Sequence, residues 1–161
     1  MMKLHGYGLI VMVVGLALVF FVNLSVPAES KITIKKIEES ELDAIMLAGD
    51  DPVVIAFMAS WCSPCIDELP TLNKLYKKFK DQGLKLVGIS IDAGGADALQ
   101  PIVNKLKIDF PVYWYGEKAV FKFNLKAIPL LVFVKQGEVV ERLPGSRPEW
   151  FLDKKIREFI K

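Results

Sequence analysis

Residues 57–70 read FMASWCSPCIDELP. It holds the only two cysteines of the 161-residue chain, Cys62 and Cys65. The run VVIAFM at residues 53–58 is typical of a buried parallel strand, and residues 64–80 carry apolar side chains at helical spacing. The cysteines are therefore predicted to lie at a junction between a strand and a helix.

A cysteine at the start of a helix lies in an unusual electrostatic environment. The first-turn amides are unpaired donors with partial positive charge, so they stabilise a thiolate and lower the pKa of the thiol. We expect Cys62 just ahead of the helix with its sulfur exposed, and Cys65 about one turn in and covered. Cys62 can then attack a disulfide, and Cys65 can resolve the mixed disulfide.

Two other uses of the cysteines fit the sequence less well. A structural metal site usually needs four ligands, whereas the only histidine is His5 and there is no second cysteine pair. No metal site is predicted, and a metallochaperone is disfavoured. A purely structural disulfide in so short a loop adds little stability, because the benefit grows with loop length. A binding module with such a bridge stays open as an alternative.

The periodicity of the remaining chain predicts an α/β domain with a central mixed sheet flanked by helices on both faces. Strands are predicted at residues 31–37, 53–58, 84–91, 111–114, 130–134 and 139–143. Helices are predicted at residues 41–47 behind an N-cap at Ser40, at 64–80, 96–106 and 117–123, and from Pro148 onward. Gln136 and Gly137 are predicted to form a hairpin turn.

Residues 1–28 are predicted to be a separate hydrophobic signal or anchor segment. No Asp, Glu, Lys or Arg occurs from Leu4 to Ala28, and residues 9–22 are entirely apolar or glycine. This composition fits a signal peptide, but the uncharged stretch is also long enough to span a bilayer, and an uncleaved anchor is favoured. In either case, the domain at residues 29–161 is expected to work outside the cytoplasm.

The charge balance excludes one large class of partners. The chain has 21 Lys and Arg residues against 19 Asp and Glu residues, for a formal net charge of +2. Nucleic-acid binding needs a concentrated basic surface, and no block of basic residues is present. No nucleic-acid partner is therefore predicted.

The cysteine stretch resembles a known family. The pattern Trp-Cys-x-Pro-Cys-x-x-Glu-x-Pro is met by Trp61, Cys62, Pro64, Cys65, Glu68 and Pro70. It resembles the TlpA/ResA-like branch of the thioredoxin superfamily, whose members are extracytoplasmic thiol-disulfide oxidoreductases. The resemblance covers about residues 30 to 161. It implies a thioredoxin fold with an added βα unit, and a redox-active Cys62–Cys65 disulfide with no other cofactor.

The resemblance also implies a substrate-binding surface. Pro129, in Ala127-Ile128-Pro129-Leu130, stands before a predicted strand, where the family has a cis-proline. In the family this loop pairs with the backbone of the bound substrate, which implies substrate contacts at Ile128 and Pro129. Trp61 is expected on an exposed face, where it can contact partners. Gly145 stands where the family often has glycine close to the active-site surface.

Glu68 is the candidate general base. It follows Cys65 by three residues and so shares a helical face with it. A partly buried carboxylate there would have a raised pKa and could accept the Cys65 proton during resolution. Thioredoxin often uses an aspartate on the preceding strand instead, and that position is Ala56 here.

The resemblance further implies a direction of electron flow. Ser63 and Pro64 between the cysteines resemble the reducing members of the family, which implies a reductase of protein disulfides. Such a protein needs a membrane electron donor, of the DsbD/CcdA type, and its substrate in the family is often apocytochrome c.

A thiol peroxidase of related fold is the main alternative. It would need a Pro-x-x-x-Thr/Ser-x-x-Cys setting, and the residues upstream of Cys62, from Ile55 to Trp61, lack that proline.

Overall fold

The computed structural model describes residues 32–47, 49 and 51–161. The helices and strands are, in chain order, β1 (Lys35–Lys36), α1 (Glu39–Met46), β2 (Val53–Met58), α2 (Ser63–Phe79), β3 (Lys85–Ser90), α3 (Gln100–Lys105), β4 (Val112–Trp114), α4 (Lys118–Lys122), β5 (Leu130–Lys135), β6 (Glu138–Pro144) and α5 (Glu149–Phe159). Single 3-10 turns occur at Lys80–Gln82 and Ala96–Ala98. The predicted segment at residues 1–28 lies outside the described residues.

The strands form one mixed sheet in the order β1-β4-β3-β2-β5-β6. Strands β1, β4, β3 and β2 are parallel, while β5 pairs antiparallel with both β2 and β6. The predicted central mixed sheet is thus confirmed. Gln136 and Gly137 have φ values of 55° and 79° in the tight turn between β5 and β6, as the hairpin prediction requires.

Strand β2 lies at the centre of the sheet, and all six of its residues are buried. Its side chains alternate between two packed faces, which explains the continuous apolar run. On one face, the Phe57 ring lies 4.7 Å from that of Phe123, which follows α4. On the other face, Phe133 of β5 lies 5.0 Å from Phe159 of α5. Helical segments therefore cover both faces, as predicted.

Two predicted boundaries at the N-terminal end of the domain are wrong. The strand predicted at residues 31–37 is reduced to β1, because its partner β4 offers only two paired positions, Tyr113 and Trp114. The first helix begins before Ser40, which is not its N-cap. Glu38 has that position, and its N–H donates to the Glu41 carboxylate at 2.8 Å, which anchors the first turn.

The helix predicted at residues 96–106 is also divided. A 3-10 turn at Ala96–Ala98 precedes α3, and Pro101 occupies the first turn of α3. Proline lacks an N–H and fits only where no helical partner is needed, so it begins the α-helix rather than lying within it.

The topology brings several chain segments to one edge of the sheet. The parallel strands β2 and β3 end side by side, with Met58 opposite Ser90. Strand β5 begins at the same edge, because Leu130 pairs with Phe57. Residues that follow β2 and β3, and residues that precede β5, therefore meet there.

Candidate active site

The cysteines occupy the junction that the sequence predicts. Strand β2 ends at Met58, and Cys62 is the N-cap of α2 with extended backbone. The Cys65 N–H donates to the Cys62 sulfur at 3.3 Å, and the two cysteines are joined by a disulfide with their Cα atoms 5.2 Å apart. Once the pair is reduced, this donor and the helix N-terminus would stabilise a thiolate on Cys62.

The predicted exposure of Cys62 is wrong in degree. Cys62 is 5% exposed and Cys65 is 2% exposed, so both are buried in the disulfide form. The physical reason is that the Cys62 sulfur is bonded to Cys65 and turned toward the first-turn amide of α2 rather than toward solvent.

Trp61 lies next to the cysteines and is 68% exposed, as predicted. Trp61 directly precedes Cys62, the N-cap of α2, so its exposed indole ring lies beside the cysteine turn. The residue thus gives the cysteine turn an apolar rim.

Pro129 lies at the same edge of the sheet. The Ile128–Pro129 peptide bond is cis, as predicted. Because Leu130 pairs with Phe57, the loop before β5 lies beside the residues that follow β2. Ile128 is half-buried and packs against the core. In the part of the chain that the structure describes, no hydrogen bond involves the backbone N–H or C=O of Ile128.

Glu68 and the Pro129 loop are connected through the segment that follows β6. The Gly145 N–H donates to the Pro129 carbonyl at 2.8 Å. Two residues later, the Arg147 N–H donates to Glu68 Oε1 at 2.9 Å. Gly145 has a φ of 76°, a conformation that strains any residue with a Cβ, which explains glycine at this position. The proline loop, the 145–147 segment and Glu68 are thus held together.

Glu68 is 3% exposed, one helical turn after Cys65. Burial raises the pKa of the Glu68 carboxyl above its usual range, against the lowering effects of the Arg147 N–H, the Ser146 hydroxyl and the Arg147 charge. The predicted direction of the pKa shift is confirmed. A carboxylate with a raised pKa is a better proton acceptor than an exposed one.

The raised pKa predicts a pH-dependent stability for Glu68→Gln. A carboxyl whose pKa is raised by folding favours the folded state at low pH, and this advantage is lost as the pH rises through the folded-state pKa. The variant, whose amide oxygen can still accept from Arg147, should therefore be more stable than the native chain at neutral pH. Its advantage should decrease as the pH falls toward the ordinary glutamate pKa of ~4.3.

Urea unfolding of both proteins at several pH values measures this difference. Asp67→Asn is the matched control, because Asp67 is the exposed neighbouring acid on α2. A constant difference between Glu68→Gln and the native chain across the pH series would contradict the raised pKa.

Asp92 is a site residue that sequence reasoning missed. It follows β3 and is 2% exposed. The Ser60 N–H donates to its two carboxylate oxygens at 3.0 and 3.1 Å, and the Ser60 hydroxyl donates to Oδ1 at 2.7 Å. The Ser90 hydroxyl donates to Oδ2 at 2.7 Å. Asp92 therefore fixes the turn that leads from β2 into Cys62.

Asp92 also connects this turn to the outer strands of the sheet. The Trp114 indole N–H, at the end of β4, donates to the Asp92 carbonyl at 2.6 Å. The signal that could have identified Asp92 is its position. An acid directly after one parallel strand faces the donors that follow the neighbouring parallel strand.

Asp92→Ala should destabilise the chain by about 2–4 kcal/mol, because it leaves the buried donors of Ser60 and Ser90 without their charged acceptor. Asp92→Asn should lose less, since its amide retains one oxygen. Chemical denaturation measures both, with Asp97→Ala as the control, an exposed aspartate in the same connection. Equal stability of Asp92→Ala and Asp97→Ala would contradict this role.

Among residues 32–47, 49 and 51–161, no group of three or more His, Cys, Asp or Glu side chains is placed to hold a metal ion. A helix with the length and hydropathy of a membrane span is not found in these same ranges.

Two solved structures have folds similar to that of this chain. A thiol:disulfide interchange protein from Chlorobium tepidum TLS aligns with a TM-score of 0.65 and 21% identity, over 74% of this chain and 85% of its own. StoA from Bacillus subtilis aligns with a TM-score of 0.59 and 19% identity, over 70% of this chain and 84% of its own. These matches confirm the predicted thioredoxin-like fold.

Two relatives that match by sequence are named as a thiol-disulfide oxidoreductase and a thioredoxin. Over 98 residues, the chain is 34% identical to the thiol-disulfide oxidoreductase ResA of Bacillus thuringiensis (strain Al Hakam), covering 59% of this chain and 56% of ResA. Over 128 residues, it is 32% identical to the chloroplastic thioredoxin X of Arabidopsis thaliana, covering 79% of this chain and 56% of that protein. The chain thus spans little more than half the length of these relatives.

A family match covers most of the domain. It extends over residues 23–141, more than half of the 161-residue chain, and includes β2, the cysteine turn and the Pro129 loop. The predicted resemblance to thioredoxin-superfamily proteins is confirmed by this match and by the relatives named ResA. The chain therefore belongs to the AhpC/TSA family.

Proposed function

We propose that this chain is a thiol-disulfide oxidoreductase that reduces disulfides in other proteins. The observation that carries the proposal is the Cys62–Cys65 pair at the N-terminus of α2, at the same edge of the sheet as the Pro129 loop. The position supplies the electrostatic stabilisation that a nucleophilic thiolate needs. The names of the ResA relatives support the same reaction class.

The reaction takes place in two exchange steps. The reduced Cys62 thiolate attacks one sulfur of a substrate disulfide, so the substrate S–S bond breaks and a mixed disulfide forms. The leaving substrate sulfur departs as a thiolate and takes a proton from solvent. Cys65 then loses its proton to Glu68 and attacks the Cys62 sulfur. The second substrate thiolate leaves, the Cys62–Cys65 disulfide forms, and two electrons have passed to the substrate.

Substrate binding is assigned to the surface around the cysteines. The backbone of Ile128, which has no hydrogen-bonding partner among the described residues, can pair with an extended substrate segment. Trp61, exposed beside Cys62, would pack against the same segment. Pro129 fixes the direction in which Ile128 presents its N–H and C=O.

We further propose a direction of electron flow, a location for the domain, an electron donor and a substrate. Ser63 and Pro64 between the cysteines favour a reductase. A membrane electron donor of the DsbD/CcdA type would reduce the Cys62–Cys65 disulfide again after each cycle. Residues 1–28 would hold the domain at the outer face of the membrane. Apocytochrome c is the substrate that the family resemblance suggests.

The peroxidase alternative has less support. In the Pro-x-x-x-Thr/Ser-x-x-Cys setting, the proline and the hydroxyl residue would fall at Ile55 and Ala59. Both are buried apolar residues that pack in or directly after β2. The surroundings of Cys62 therefore lack the residues of a peroxidatic site.

The activity of the full chain, in mild detergent, is measured with two substrates, insulin and hydrogen peroxide. With dithiothreitol as reductant, it should accelerate the reduction of insulin disulfides, and it should not accelerate the consumption of hydrogen peroxide. Equilibration with glutathione buffers should give a reduction potential near that of reducing thioredoxins, ~−270 mV. An inert chain toward insulin, or rapid peroxide turnover, would overturn the proposal.

A further inference from the structure

A groove that the reaction does not use lies beside the proline loop. Its volume is about 440 Å³, and it is lined by Asn124, Lys126, Ala127, Leu130, Arg142 and Pro144. Leu130 is the residue after Pro129, and Pro144 is its partner on β6. The groove therefore begins where the Ile128–Pro129 loop ends and extends along the outer edge of the sheet.

The charged groups that line the groove are both cations. Arg142 is held in place, since its guanidinium donates to the Phe123 carbonyl at 2.6 Å. Lys126 is exposed on the loop side. Within the described part of the chain, neither side chain forms an ion pair. The groove thus presents two uncompensated positive charges.

Acidic residues near this region are turned away or already paired. Glu141, next to Arg142 on β6, points to the opposite face of the sheet and pairs with Lys155 at 2.7 Å. Glu39 and Asp43 of α1 both pair with Lys122, at 2.8 and 2.7 Å. The positive potential of the groove is therefore not cancelled by these carboxylates.

The apolar residues that line the groove can contact the methylene groups of a bound side chain. Leu130, Ala127 and Pro144 are apolar, and Pro144 has no N–H to offer at the end of the edge strand. A carboxylate on a short apolar stem would place its charge between the cations and its methylenes on this apolar lining. An extended segment paired with Ile128 would pass the entrance of the groove.

We infer that the groove between Lys126 and Arg142 is a specificity subsite that binds an acidic side chain of the substrate polypeptide, close in sequence to the cysteine that is attacked. The inference rests on the proposed function, because it assigns a substrate class to the same site. It makes the enzyme selective among disulfides by the charge beside them. Charge complementarity of this kind mainly affects specificity and association rate.

Single-turnover reduction of disulfide peptides tests the inference. The peptides form matched pairs, with Glu or Gln at each position within about three residues of the attacked cysteine, a reach set by the ~3.3 Å span of each extended residue. Each rate constant is divided by that of the same peptide with dithiothreitol, which removes the intrinsic effect of a nearby carboxylate on the disulfide. At one or more positions, Glu should be preferred over Gln by about two- to tenfold.

Variants identify the groove as the source of this preference. Lys126→Gln/Arg142→Gln should bring the ratio of Glu to Gln rates to one, because it removes both positive charges and keeps polar side chains at both positions. Lys154→Gln, which removes an exposed charge from α5, should leave the ratio unchanged. The preference should also weaken as salt is added. No preference at any position, or an unchanged ratio in the double variant, would overturn the inference.

A redox-inert peptide separates the groove from the activity. The same Glu and Gln peptides are made with serine in place of their cysteines. At one or more positions, the Glu peptide should shift the amide resonances of residues 126, 127, 130 and 142 of the oxidised chain more than its Gln counterpart does. Failure of all peptides to be reduced would contradict the proposed function, but this binding result would still decide the groove. Equal shifts with the Glu and Gln peptides would count against the groove.

Discussion

Replacing Cys62 with serine is expected to lower the rate of insulin reduction to that of dithiothreitol alone. The attacking species is a thiolate. The Cys62 sulfur accepts a hydrogen bond from the Cys65 N–H, in the first turn of α2, at 3.3 Å, and this donor stabilises a thiolate on Cys62. Cys65→Ser should leave the first attack intact and stop the cycle at the mixed disulfide, because the resolving thiol is missing. The two variants should therefore fail in different ways.

Mass spectrometry after incubation with a disulfide peptide distinguishes the two failures. Cys65→Ser should carry one peptide half on Cys62, and Cys62→Ser should carry none. Ser63→Ala, which keeps both thiols, should turn over the peptide without an adduct. In the reduced native chain, iodoacetamide should label Cys62 before Cys65 near neutral pH. Faster labelling of Cys65, or a stable adduct on it, would reverse the assignment.

The parts of the site that could be predicted depend on local sequence. Strand β2 is a continuous apolar run, and Cys62 and Cys65 follow it within a few residues. Their position at the start of α2 could therefore be predicted. Pro129 could be placed because a strand pattern follows it directly, and its cis bond agrees with the resemblance. The position of Glu68 relative to Cys65 follows from helix geometry alone.

The parts that could not be predicted depend on contacts between distant segments. The Arg147 N–H that binds Glu68 is 79 residues away along the chain, and the Asp92 carboxylate is 32 residues from Ser60. Neither pairing leaves a periodic trace, since each depends on a single loop residue, Arg147 or Asp92. The pairing of Asp92 with Ser60 becomes visible only when the strand order brings the ends of β2 and β3 together. The pairing of Arg147 with Glu68 becomes visible only when the segment after β6 lies against α2.

The length of β1 and the burial of Cys62 were misjudged for related reasons. The extent of an edge strand is set by its partner, and β4 has only three residues. Cys62 is buried in the disulfide form, in which its sulfur is bonded to Cys65. Sequence patterns show neither which strands pair nor the oxidation state of a cysteine pair.

Glu68→Gln should slow the resolution of the mixed disulfide and spare its formation. The carboxylate is buried one turn after Cys65, and its raised pKa makes it a suitable acceptor for the Cys65 proton. An amide cannot take that proton, although it can keep the hydrogen bond from the Arg147 N–H. General-base contributions are typically ~10²–10⁴-fold, so the mixed disulfide with a peptide should accumulate to a measurable level.

Quenched-flow mixing, with acid added at intervals, measures the formation and the resolution of the mixed disulfide separately across about pH 5 to 9. In the native chain, the resolution rate should rise with pH through an ionisation above the ordinary glutamate pKa of ~4.3, because only ionised Glu68 can act as the base. The variant should lose that ionisation, whereas Asp67→Asn should keep it. A variant that resolves at the native rate over this range would leave Glu68 the role of holding the 145–147 segment against the proline loop. Water would then have to take the Cys65 proton.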